Sequence, residues 1–132
     1  MKILIDTHIF LWAISNPERL GSYYQSELET QTNTVFLSAV SVAELMIKSS
    51  IGKLEVNFDP LAIAGETGFQ LLSFSGEDAL LLKDMPFHHK DPFDRMLIAQ
   101  ALSNNYEIMT DDSTFSQYDC KLIARKPEAP FL

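Results

Sequence analysis

The chain of 132 residues is long enough for one hydrophobic core and short for two domains of ordinary size. Hydrophobic residues make up 46% of it and charged residues 21%, which excludes a disordered or low-complexity polymer. Ten Lys and Arg against eighteen Asp and Glu leave a net charge of −8, so a polyanionic ligand must be held by something other than overall charge.

Residues 2–5 form a short apolar run that reads as a buried strand, and an apolar helix over 8–14 follows, stopped by Pro17. A more polar helix is expected over 17–30 and a second strand over 34–37. The helix over 41–50 carries Val42, Leu45 and Met46 on one face and ends before Gly52; the next, over 60–66, opens on Asp59-Pro60 and stops at Gly68. A strand over 69–74 and a helix over 76–83 come next. Asp91-Pro92 then opens the clearest helix, with Phe93, Leu97 and Ala101 at four-residue steps and Met96, Ile98 and Leu102 broadening the apolar face. A strand over 106–109, a weaker fifth over 120–123 and a loose tail over 125–132 complete the chain. This alternation predicts a single α/β domain over 1–132, built on a mostly parallel sheet covered on both faces.

A single cysteine, Cys120, excludes an internal disulfide and a Cys/His zinc set and fits a reducing compartment. The three apolar residues between Lys2 and Asp6 are too few for a signal-peptide core. The longest stretch without a charged side chain, 30–43, has 14 residues and contains several Ser and Thr, so no membrane span is expected and the protein reads as cytoplasmic.

The acids are placed suggestively. Asp6 ends the first strand and Asp112 lies just past the fourth, and ligands of open α/β sheets bind at such carboxyl ends, where the strand order reverses. Glu44 lies early in the helix leaving the second strand, and Asp94 in the first turn of the helix leading into the fourth. Steps of 38, 50 and 18 residues separate these four carboxylates, which can still converge and offer the oxygen ligands that Mg²⁺ or Mn²⁺ prefers. Local roles compete with this reading. Ser41-x-x-Glu44 has the form of a capping box, Asp94 sits third after an Asp91 cap where the helix dipole favours an acid, and Asp6 and Asp112 suit caps or turns. Asp78, three residues after Ser75, shows the same pattern with no ligand implied. Position alone does not separate a cap from a metal ligand.

The wording around the acids does more. The segments Asp6-Thr7-His8-Ile9-Phe10-Leu11-Trp12, Ser41-Val42-Ala43-Glu44-Leu45, His89-Lys90-Asp91-Pro92-Phe93-Asp94-Arg95-Met96-Leu97-Ile98-Ala99-Gln100-Ala101 and Thr110-Asp111-Asp112-Ser113-Thr114-Phe115 together resemble, in order and spacing, the PIN-domain ribonucleases. The VapC-like toxins of type II toxin–antitoxin pairs are the nearest likeness, and it covers the chain from Met1 to about Ala124.

That resemblance implies a three-layer α/β/α sandwich with strand order 3-2-1-4-5. It implies that Asp6, Glu44, Asp94 and Asp112 are the catalytic acids and hold one or two Mg²⁺ or Mn²⁺ ions, with Thr7 and Thr110 as supporting hydroxyls. The implied chemistry is hydrolysis of an RNA phosphodiester to 5′-phosphate and 3′-hydroxyl ends. Arg95, Lys90 and His89, with Lys48 behind them, are candidates to position phosphates, each against the plainer reading of a solvated cation or polar loop. Phe10 and Trp12 read as core or dimer surface rather than stacking platforms. The implied partners are an RNA substrate, a cognate antitoxin whose basic segment suits a −8 surface, and a second copy of the chain.

Alternatives remain within the family: a catalytically inactive scaffold that binds protein or RNA, and a stand-alone RNA-processing nuclease. Two other folds fail on residues. A receiver domain needs an acid after the third strand, where Phe74-Ser75 stand, and a haloacid-dehalogenase-type phosphatase needs an Asp at the position of His8.

Overall fold

A computed structural model describes residues 1–124; the tail expected over 125–132 lies outside the described residues. In chain order the elements are β1 (Lys2–Ile5), α1 (Thr7–Ser15), a 3-10 helix (Pro17–Leu20), α2 (Gly21–Glu29), β2 (Thr34–Ser38), α3 (Ala39–Ser50) and α4 (Pro60–Thr67). They continue with β3 (Gln70–Leu72), α5 (Gly76–Leu80), a 3-10 helix (Leu81–Asp84), α6 (Pro92–Asn104), β4 (Glu107–Met109), a 3-10 helix (Ser113–Gln117) and β5 (Lys121–Leu122). The five strands form one sheet in the order β3-β2-β1-β4-β5, and all four pairings are parallel.

Alternation along the strands builds the layers. Ile3 and Ile5 of β1, Val35 and Leu37 of β2 and Met109 of β4 face one way, against Ile9 and Phe10 of α1, Tyr24 of α2, Leu45 of α3 and Ala64 of α4. Leu4, Phe36 and Ile108 face the other way, against Leu97, Ile98 and Ala101 of α6, Val40 of α3, and Phe115 and Tyr118. Central strands buried on both faces carry near-continuous apolar runs, which is why residues 3–5 and 35–37 contain no polar side chain. The result is an α/β/α sandwich with a separate core on each side of the sheet.

Several boundaries differ from the sequence expectation. The polar helix over 17–30 divides at Gly21, whose φ of 78° lies in the left-handed region and breaks the helical path. The edge strand expected over 69–74 shortens to Gln70–Leu72, and the fifth to Lys121–Leu122, since each has a ladder partner on one side only. The helix after β2 starts at Ala39, two residues earlier than expected, because Ser38 is the cap and its Oγ accepts from Val40 N–H at 2.9 Å. Ser41 and Glu44 are therefore not a capping box; Glu44 lies in the second turn, free for another role. The capping box at Ser75 and Asp78 is real: Ser75 N–H donates to Asp78 Oδ2 and Asp78 N–H to Ser75 Oγ. Leu102, expected on the apolar face of α6, is 37% exposed.

Gln100 of α6, fully buried, ties that helix to the end of β3 through its amide Nε2, which donates to Ser73 O at 3.0 Å. Ile98 is fully buried between α6 and the sheet, whereas Leu80 is 77% exposed. Ile98→Ala is expected to lower the unfolding free energy by about 2–5 kcal/mol, and Leu80→Ala by no more than about 0.5 kcal/mol, in urea titrations of the two variants.

Candidate metal centre

The register of β1 decides what meets at the carboxyl edge of the sheet. Ile5 is paired with Leu37 on one side and Met109 on the other, so Asp6, Ser38 and Thr110 stand side by side as their strands end. Asp6 N–H donates to Met109 O at 3.1 Å and seals the step from β1 to β4. Asp6 is also the cap of α1, since its Oδ1 accepts from Ile9 N–H at 2.8 Å. Its other oxygen, Oδ2, accepts a short hydrogen bond from the Thr110 hydroxyl, and that hydroxyl accepts in turn from Asp112 N–H at 3.0 Å. Thr110 thus locks the first and last acids of the pocket to one another.

Glu44 of α3 is 3% exposed and, although it does not line the cavity that Asp6, Asp94 and Asp112 share, is near enough to Asp94 to repel it. Thr7 Oγ1 lies 2.7 Å from Glu44 Oε1 and 2.9 Å from Ser41 Oγ. A hydroxyl has one proton, so Thr7 donates to the carboxylate and accepts from Ser41. The second Glu44 oxygen is paired with Lys48 one turn along the helix. That hydrogen bond holds the Lys48 ammonium above the usual lysine range against the opposing effect of burial, with Asp91 and Asp94 adding to it. Lys48, a candidate to position phosphate, is thus engaged with Glu44.

Asp94 and Asp112 come from α6 and from the turn after β4. Asp91 caps α6 by accepting from Phe93 N–H at 2.8 Å, which leaves the Asp94 carboxylate without a capping role. Asp112 caps the 3-10 helix at Ser113 through Oδ1, which accepts from Thr114 N–H at 2.9 Å, and turns Oδ2 inward. His89 Nε2 sits 2.8 Å from Asp112 Oδ2 and 3.0 Å from Asp94 Oδ2. These three ligand atoms lie within 4.8 Å of one another. Asp112, rather than its exposed neighbour Asp111, makes this contact. Asp6, Asp94, Asp111, Asp112, His8 and Trp12 line one cavity of about 220 Å³.

The electrostatics fit a cation. Burial is the main influence on Asp94; the Asp91 carboxylate and weaker repulsion from Asp6 and Glu44 add to it, and together they outweigh His89 and push its pKa up to about 7. Burial likewise raises Asp6, overcoming its hydrogen bonds from Thr110 and Ile9. Burial also raises Asp112, but less than the hydrogen bonds from Thr114 and His89 lower it, so it stays below the usual carboxylate range. Two crowded acids that resist ionisation beside one that does not offer the carboxylate oxygens that a divalent ion prefers.

Among the candidates for phosphate positioning, Arg95 has a different place. Its guanidinium donates to Pro86 O at 3.0 Å and to Leu82 O at 3.4 Å, approaches the Tyr118 hydroxyl at 3.3 Å and lies over the Phe87 ring, so it fastens the 3-10 helix Leu81–Asp84 and the loop after it to α6. Lys90 is exposed beside the pocket in sequence, and His89 contacts Asp94 and Asp112, two of the acids that line it. Two features go beyond the sequence reading, which took Trp12 for core or dimer surface and weighed His8 between a substrate role and packing against the first helix. Trp12 is a wall of the cavity, with Arg19 stacked over its ring at 4.6 Å, and His8 stands at the same wall. Tyr118, near the end of the described chain, accepts from His89 N–H at 2.9 Å and His88 N–H at 3.1 Å and so anchors the histidine loop. The four-residue step from His8 to Trp12 was the available signal for the first; nothing local in sequence marks the second.

The pH dependence has a definite sign. The unfolded chain releases the Asp94 proton near 3.8 and the folded protein near about 7, so raising the pH through that window favours the unfolded state. The metal-free protein is expected to have a lower urea midpoint at about pH 7.5 than at about pH 4.5, and Asp94→Asn a flatter profile over the same window. Asp6 contributes with the same sign, and the Asp112 contribution is already complete above the usual carboxylate range.

Residues 3–121 match the PIN domain family. No curated protein matches the chain. Among solved structures it is similar to VapBC2 from Rickettsia felis bound to a DNA fragment from their promoter, with 17% identity over 93% of this chain and 98% of that chain and a TM-score of 0.71. It is similar to FitAcB from Neisseria gonorrhoeae, with 22% identity over 93% and 97% of the two chains and a TM-score of 0.64. It is also similar to VapBC-1 from nontypeable Haemophilus influenzae, with 20% identity over 95% and 98% and a TM-score of 0.66. A match that runs from β1 to β5, on a sheet of the order found here, makes this chain a member of the PIN-domain family.

Proposed function

We propose that the protein is a Mg²⁺- or Mn²⁺-dependent endoribonuclease, with one or two ions held at Asp6, Glu44, Asp94 and Asp112, and that it is the toxin of a toxin–antitoxin pair. The observation that carries this reading is the crowding of carboxylates at one sheet edge, where Asp94 keeps its proton to about pH 7. Such a cluster is stable when ionised only if a cation joins it. Bound there, a divalent ion supplies Lewis-acid charge for a phosphodiester and makes an attacking water more acidic.

The chain's own residues divide the remaining work. Asp94 and Asp112 present the most open oxygens, with side chains 19% and 38% exposed. Asp6, deeper in the pocket, is oriented by Thr110 and Ile9. Glu44 is oriented by Thr7 and paired with Lys48. His8 and Trp12 form the wall against which a nucleotide would lie, and Lys90 supplies an exposed cation nearby in sequence. With a net charge of −8 and so few cations at the pocket, RNA is held chiefly by the metal, and cleavage depends only shallowly on salt.

No helix among the described residues is long and apolar enough to cross a membrane, which agrees with the proposed cytoplasmic site of action. An acidic pocket on an acidic protein suits a basic inhibitory segment of an antitoxin, and the VapBC and FitAB relatives support a protein partner of this kind. A homodimer belongs to the same reading.

Purified protein should cleave total RNA with Mg²⁺ or Mn²⁺ and stop with EDTA, and Asp94→Asn should be slower by about a hundredfold or more. Equal cleavage in all three conditions would sink the nuclease reading, and metal binding without cleavage would favour the inactive scaffold. Thr110→Val, which frees both Asp6 and Asp112, should lose about ten- to a hundredfold in rate while keeping its unfolding free energy within about 2 kcal/mol of the parent.

A further inference from the structure

His89 occupies the point between two acids where a cation belongs, and its ring is set the wrong way round for a ligand. A neutral imidazole has one nitrogen that donates and one that accepts. Asp91 N–H donates to His89 Nδ1 at 3.1 Å, so the lone pair is on Nδ1 and the proton is on Nε2. Metal-binding histidines show the opposite arrangement: the far nitrogen donates to a carbonyl or carboxylate, which leaves the lone pair of the near nitrogen for the metal. Here the far nitrogen meets a donor, and the near one, Nε2, points its hydrogen at Asp112 Oδ2, 2.8 Å away, with Asp94 Oδ2 at 3.0 Å.

We propose that His89 is a placeholder for the divalent ion, its Nε2–H donating to Asp112 Oδ2 beside Asp94 Oδ2 in the metal-free protein and giving way to the cation instead of joining it as a ligand. The proposal rests on the metal-dependent reading above. The N–H and a cation compete for the same two oxygens, since the three atoms all lie within 4.8 Å of one another. The backbone does not need to move for the ring to leave, because His89 N–H stays fixed to the Tyr118 hydroxyl at 2.9 Å. Edge-on packing of the ring against Phe115, at 5.8 Å between centroids, holds it in place until then.

The other half of the pocket has an analogous device. Lys48 sits on Glu44 as His89 sits on Asp112, so a basic side chain donates to a carboxylate at each of the two places. His89 is in this sense a positioning residue: it keeps the two oxygens close and spaced, and it sets the threshold that a cation must exceed.

The test is the sign of a change in affinity. His89→Asn retains an oxygen that can accept from Asp91 N–H, in the manner of an Asx-turn, and removes Nε2. Mn²⁺ binding, followed by the loss of the free-ion electron paramagnetic signal, should become about three- to tenfold tighter in His89→Asn, the equivalent of one net hydrogen bond. Weaker or unchanged binding overturns the proposal, since a lost ligand weakens binding and a bystander leaves it alone. A second measurement needs no variant. Long-range ¹H–¹⁵N spectra of the wild-type imidazole with saturating Mg²⁺ should show Nε2 still protonated, and an unprotonated Nε2 in the loaded protein overturns the proposal. Asp94→Asn separates this failure from that of the metal reading. If wild-type protein binds no Mn²⁺, or Asp94→Asn binds it equally well, the metal centre itself is wrong and the placeholder falls with it. Binding that Asp94→Asn loses and His89→Asn does not improve defeats the placeholder alone.

Discussion

The pocket depends on one constraint, the parallel register of β1 against both neighbours. Because Ile5 is level with Leu37 and with Met109, three strands end at the same height, and the residues that follow them emerge together. A shift of one residue in either pairing would turn alternate side chains from one core to the other, so two buried apolar faces guard the register. The energy that fixes the site is therefore mostly the burial of Ile3, Leu4, Ile5, Val35, Leu37, Ile108 and Met109, residues that take no part in its chemistry.

On that edge the protein gathers negative charge at a cost it offsets locally. Each acid has a hydrogen-bond donor of its own: Thr110 and Ile9 N–H for Asp6, Thr7 and Lys48 for Glu44, His89 and Thr114 N–H for Asp112. Asp94 is the exception. Its capping neighbour Asp91 takes the helix N–H groups and adds a repelling charge, and burial does the rest. Asp94, on the first turn of α6 and raised to about 7, thus shares its imidazole neighbour with Asp112, which stays below the usual carboxylate range.

The loops show a similar economy. Tyr118 holds the backbone of His88 and His89, Arg95 grips the carbonyl of Pro86 and stacks on Phe87, and Gln100 reaches the end of β3. Polar side chains on α6 and beyond β4 tie down the irregular segments around the pocket, whose backbone groups have no ladder to join. Arg95, whose charge and place beside Asp94 suggested a phosphate ligand, is one of these ties.

The helices and strands were largely legible, because periodicity, Asp-Pro caps and a glycine stop are local signals: α4 and α6 begin on Asp59-Pro60 and Asp91-Pro92, and α4 ends at Gly68. The strand order and the four acids came instead from the resemblance of four short segments, each weak by itself. The start of α3 was misjudged because Ser38 and Ser41 are both good caps, and only the end of β2 decides between them. Sequence by itself determined the fold class, the acid-rich charge balance and the residue types available to bind a cation. Tertiary structure alone decided that His89 lies between Asp94 and Asp112, that Thr110 joins Asp6 to Asp112 and that Arg95 turns to a loop. Thr110 and Asp6 stand 104 residues apart in the chain and His89 and Asp112 stand 23 apart, and distances across a folded core follow from packing rather than from neighbours in the chain.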